Sequence, residues 1–145
     1  MGMSPQIRKA SKKLDPDSSG QYDLWLDGIK IEVKASRAVD SESAEPLYMK
    51  ALARDTKRPF LMNFQQLKPQ YCDVFVWVAV FRDVIVTWVI GSSDIQNHAL
   101  FSKGQHRGNI GNEGQLHIKH DNIDQLDQYE FKGGDFAKLI IEAAK

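Results

Sequence analysis

The chain has 145 residues, 42% hydrophobic and 26% charged, and its 19 basic and 19 acidic side chains give no net charge. That length fits one domain, residues 1–145, large enough to bury a core, and no apolar run approaches the ~20 residues that span a bilayer. The start, MGMSPQIRKASKK, lacks the apolar stretch of a secretory signal. The single cysteine, Cys72, excludes an internal disulfide, so a cytoplasmic compartment is expected.

In chain order, Ser4-Pro5 predicts a helix start, with a short basic helix to about Leu14. DPDSSG (15–20) is a turn-rich loop. YDLWLDGIKIEVKAS (22–36) reads as a hairpin, and AEPLYMKALARD (44–55) as a helix with Leu47, Tyr48, Ala51 and Leu52 on one face. RPFLMNFQQL predicts a strand beginning near Phe60. DVFVWVAVF (73–81) is a buried central strand, and VIVTWVI (84–90) its neighbour across the Arg82-Asp83 turn. A short helix at GSSDI, a Gly- and Asn-rich loop over 102–114 and a strand at QLHIKH follow. A last helix is capped by Asp135. The expected fold class is α/β, a mixed central sheet flanked by helices.

Asp27-Gly28 is a strong two-residue hairpin signal, because a type I′ turn needs positive φ at both positions. The register then pairs Leu26 with Ile29, Trp25 with Lys30, Leu24 with Ile31 and Asp23 with Glu32. Strand alternation puts Tyr22, Leu24, Leu26, Ile29, Ile31, Val33 and Ala35 on a core face. Asp23, Trp25, Lys30, Glu32 and Lys34 share the other. Two opposed carboxylates ~5 Å apart repel by about 3 kcal/mol at an effective dielectric near 20. Lysines offset part of this, and a divalent cation would offset more.

On Asp23 and the following Glu32-Val33-Lys34, the hairpin resembles the PD-(D/E)xK nuclease superfamily, with Tyr22 in place of the proline. The resemblance implies a restriction-endonuclease-like fold and a Mg²⁺-dependent DNA endonuclease, with Mn²⁺ able to substitute. Asp23 and Glu32 would be metal ligands, joined by the backbone carbonyl of Val33. Lys34 would position or activate the attacking water. The family often takes a further acid from its first helix, and residues 1–14 contain none. It also often places a glutamine near this lysine, which points to Gln65 or Gln66.

DNA is the expected partner. Basic residues cluster in two segments, and Arg8, Lys12, Lys13, Arg54, Arg58 and Lys68 are candidate phosphate contacts, with Gln65 beside them. In the glycine-rich loop, His106 and Arg107 would enter a groove or grip phosphate. His117 and His120 lack a CxxC or a third ligand for zinc. Double-strand cleavage with one such site per chain would favour a two-fold homodimer. Two rival readings stay open. One is a DNA-binding module that keeps the fold without cutting. The other is an unrelated α/β protein whose polar hairpin face is structural.

Overall fold

The structure is a computed structural model that describes residues 5–103 and 114–145. It opens with an edge strand, β1 (Arg8–Lys9), where a basic helix was expected. Arg8 pairs with Trp25 and Lys9 with Leu24, and the Ala10 N–H donates to the Asp23 carbonyl at 2.9 Å. The segment has too few apolar residues to bury a helical face, whereas the hairpin offers an open ladder, and charged residues suit a sheet edge.

Three of the expected hairpin pairs form, Leu24 with Ile31, Trp25 with Lys30 and Leu26 with Ile29, as β2 (Leu24–Leu26) lies against β3 (Ile29–Arg37), but the expected pairing of Asp23 with Glu32 is not part of the ladder. Asp27 and Gly28 take φ of 46° and 93°, as a type I′ turn demands. β3 leaves its sheet at Ala38, fully buried, and continues as β4 (Val39–Asp40) in a second sheet. The helix expected over 44–55 is not formed. Met49 and Lys50 N–H groups close a turn on the Pro46 carbonyl. Ala51 bridges Val39, and the Leu52 N–H reaches the Ala38 carbonyl at 3.0 Å. The β4 edge claims this backbone. Leu47 and Tyr48 stay exposed, because nothing lies where their helical face would pack.

β5 (Phe60–Leu67), β6 (Val74–Val80) and β7 (Ile85–Gly91) follow as expected, then α1 (Ser92–Gln96), β8 (Phe101–Lys103), β9 (Gly114–Lys119) and α2 (Phe136–Ala143). The first sheet has the order β1-β2-β3-β6-β7, with β3 parallel to β6 and the other pairs antiparallel. The second, β4-β5-β9-β8, is antiparallel throughout. A parallel pair needs a long crossover, usually a helix. Here β4 and β5 provide it.

The expected α/β class is therefore corrected to a mainly β architecture. Among the described residues nine strands stand against two α-helices, of five and eight residues. One face of the first sheet buries Leu26, Ile31, Val74, Val76 and Val89 against Ile140 of α2. Its other face packs Phe75, Trp77, Trp88 and Ile90 onto Met62, Phe64, Leu116 and Ile118 of the second sheet, with Phe64 stacked on Trp77 at 5.6 Å. A second sheet stands where flanking helices were expected, and β6 is buried on both faces, hence its unbroken apolar run. Asp135 caps α2, accepting the Lys138 N–H at 3.0 Å. The end of α2 lies so close to Gly91 that a Cβ there would overlap the Ala143 carbonyl. No helix among the described residues is long and apolar enough to cross a membrane.

Candidate active site

Asp23 lies one residue before β2, where the hairpin ladder ends. Its N–H donates to the Ile31 carbonyl at 2.9 Å, and its Oδ2 accepts the Val33 N–H at 2.8 Å. The acid is thus tied to the strand that carries Glu32 and Lys34. Those two side chains alternate with Ile31 and Val33, which lie on the α2 side. Glu32 and Lys34 therefore point to the inter-sheet side, in register with Phe75 and Trp77 of β6. Tyr22 departs from its expected core face, since regular pairing starts only at Leu24, and joins the inter-sheet cluster.

Lys34 Nζ stands 2.9 Å from Glu32 Oε1. Burial raises the Glu32 pKa above the ordinary carboxylate value, and the charge and hydrogen bonding of Asp23 push the same way, while Lys34 opposes them. The charge of Asp23 is thus felt at Glu32. Lys30 is drawn off elsewhere, its Nζ 3.9 Å from Asp15 Oδ2 and over the Tyr22 ring.

Glu32 and Lys34 line a polar cleft of about 160 Å³ with Gly20, Gln21, Gln66, Lys68 and Cys72. Gln66 enters it through a β-bulge, where the β5–β9 register slips between Phe64 and Leu67 and Gln66 takes φ of 55°. The left-handed conformation is costly for a non-glycine residue and clusters at functional sites. Gln65 is not among the lining residues. Burial pushes the Cys72 thiol up to about 12, and the Ser92 hydroxyl lies 3.5 Å from its sulfur. This thiol is not a nucleophile at neutral pH.

The remaining sequence candidates are spread out. Arg54 pairs with Glu130, and Arg58 Nε lies 2.9 Å from Oδ2 of the buried Asp40. Both guanidiniums thus have partners within the fold. Arg8 sits on β1, and Lys12 lines a recess that also holds Asp23. Lys13 is exposed in the turn that follows β1. His106 and Arg107 lie outside the described residues.

Among the described residues no group of three or more His, Cys, Asp or Glu side chains is arranged to hold a metal. The Asp23–Glu32 pair is a smaller donor set. Two carboxylates suit Mg²⁺, which takes one or two and keeps several waters, but not an all-protein cage. Burial and the charge of Asp23 both disfavour ionised Glu32, and a cation there would relieve that cost. Sequence reasoning missed Gly20, Gln21 and Cys72, whose only signal was their nearness in sequence to the hairpin or to β6. Comparison with family models, curated proteins and solved structures gave no match for this chain.

Proposed function

We propose that the protein is a Mg²⁺-dependent nuclease that hydrolyses DNA phosphodiester bonds, with Asp23, Glu32 and Lys34 at its centre. The observation that carries this reading is a half-buried Glu32 that feels the charge of Asp23 and that Lys34 holds at the rim of a polar cleft. The resemblance to PD-(D/E)xK nucleases rests on the hairpin alone and supports the same residues. Asp23 and Glu32 would hold the ion, and the Val33 carbonyl is the third ligand that the resemblance implies. A divalent ion there would neutralise charge on the phosphoryl group and acidify a water.

The chain's own groups do the rest. The Val33 N–H fixes the Asp23 carboxylate, leaving its second oxygen available. Lys34 exchanges part of its contact with Glu32 for a phosphoryl oxygen or the attacking water, which it holds by a charge-assisted bond. Gln66, presented by the bulge, supplies an amide that can donate to a phosphate oxygen or accept from water.

The test is nicking of supercoiled plasmid in Mg²⁺ against EDTA, for wild type and Asp23→Asn, with calorimetric Mn²⁺ titration of both. Metal-dependent nicking lost in the variant together with metal affinity supports the reading. Equal metal binding by both proteins overturns the site. DNA binding without nicking leaves a non-cleaving DNA-binding module.

A further inference from the structure

A second recess, of about 650 Å³, has Asp23 in its lining. Lys9, Ser11, Lys12, Ser19 and Gly20 line it together with Asp23, and Gly20 also borders the smaller cleft. Asp23 therefore borders the larger recess and Glu32 the smaller, with Gly20 common to both.

The larger recess is built rather than incidental. Pairing of β1 with β2 brings Lys9 alongside the hairpin, and Lys12 follows in the turn after the strand. The opposite wall, the 15–20 loop, is pinned at several points. The buried Asp15 carboxylate accepts the Tyr22 hydroxyl at 2.6 Å and the Asp17 N–H at 3.1 Å. Gln21 Oε1 accepts the Ser19 N–H at 3.0 Å. Asp23 is the one acid lining this recess. Among the described residues neither Lys9 nor Lys12 forms an ion pair, unlike Arg54 and Arg58.

Size separates the two recesses. The smaller holds about five waters' worth of liquid, enough for a phosphate group but not for a nucleoside. The larger falls in the ~300–1,000 Å³ range of pockets that enclose whole small molecules. We infer that the larger recess is a nucleotide subsite for a single DNA strand flanking the scissile phosphate. Lys9 and Lys12 contact its phosphates, and Ser11 and Ser19 supply hydroxyls. This rests on the nuclease reading and deepens it. The strand lies with a nucleotide on the β1 side of Asp23 and only a phosphate on the Lys34 side.

The experiment is fluorescence anisotropy of a labelled thymidine dodecamer over a salt series in EDTA, where cleavage plays no part. The proteins are wild type, Lys9→Gln/Lys12→Gln, and a charge-matched control, Lys132→Gln/Lys138→Gln, near α2. The first variant is expected to lower the slope of log affinity against log salt by about 1.4, since each single-strand phosphate contact contributes about 0.7. The control should keep the wild-type slope. An unchanged slope in Lys9→Gln/Lys12→Gln, an equal loss in the control, or no wild-type binding at low salt overturns the subsite. A duplex of the same length that binds as tightly, with the same slope change, overturns the single-strand assignment. Plasmid nicking reports separately, so a protein that nicks but shows no slope change loses the subsite and keeps the nuclease reading. One that shows the slope change without nicking does the reverse.

Discussion

Lys34 holds Glu32 at 2.9 Å, and it does so against burial and against Asp23, which together still leave the Glu32 pKa raised. A carboxyl with a raised folded-state pKa favours the folded state most while protonated. Its contribution is complete below the unfolded value near 4.5 and is lost as pH rises through the higher folded value. At neutral pH the charged Glu32 therefore costs stability. Glu32→Gln, a neutral isostere, should raise the urea midpoint at pH 7, and the gain should shrink as pH is lowered towards 4.5. A midpoint that falls at pH 7, by an amount that shrinks as pH is lowered, would mean that the Lys34 ion pair outweighs the burial and repulsion.

Lys34 and Lys30 lie on one face of β3, yet they have different neighbours. Lys30 is held near Asp15 and Tyr22, away from the cleft that Lys34 lines. On the proposed reading Lys34→Ala folds, still binds Mn²⁺, and loses single-turnover cleavage by about a hundredfold or more, the scale for a positioned acid–base group. Lys30→Ala retains most cleavage. The reverse pattern would reject the assignment of Lys34.

The Tyr22 hydroxyl is the foremost cause of the lowered Asp15 pKa. A depressed carboxyl contributes stability above its unfolded pKa, and that contribution disappears as pH falls through the folded value. Tyr22→Phe removes the donor, so Asp15 should protonate at higher pH. Acid unfolding followed by circular dichroism should then begin at higher pH than in wild type. An unshifted acid transition would show that the Asp17 N–H and Lys30 suffice to hold Asp15 ionised.

The hairpin was legible because its signals are local. Asp27-Gly28 sets the turn and the turn sets the register up to Leu24 and Ile31, beyond which Asp23 is tied to Ile31 and Val33 instead of pairing with Glu32. The central strands β6 and β7 were legible from their apolar runs. The 44–55 segment was misread for a physical reason. Its helical periodicity is real, but Val39 and Ala38 offered its backbone a ladder, and a non-local pairing leaves no mark in a local pattern. The ion pairs of Arg54 with Glu130 and Arg58 with Asp40 were hidden in the same way, since each joins residues far apart in sequence. Phosphate contacts inferred from charge density alone cannot separate such arginines from Lys9 and Lys12.

The bulge at Gln66 was equally invisible, because an irregular ladder is fixed by both strands together. Its φ of 55° makes a specific demand. A left-handed conformation costs a side-chain-bearing residue roughly 1–2 kcal/mol, and glycine escapes that cost. Gln66→Ala removes the amide and keeps the strain, whereas Gln66→Gly removes both. The glycine variant should therefore be the more stable of the two by about 1 kcal/mol in urea unfolding, even though glycine ordinarily weakens a strand. Both variants should lose cleavage alike if the amide contacts the reacting phosphate or water. An alanine variant more stable than the glycine one would show that residue 66 is not left-handed in solution. The bulge would then not be what turns its side chain into the cleft.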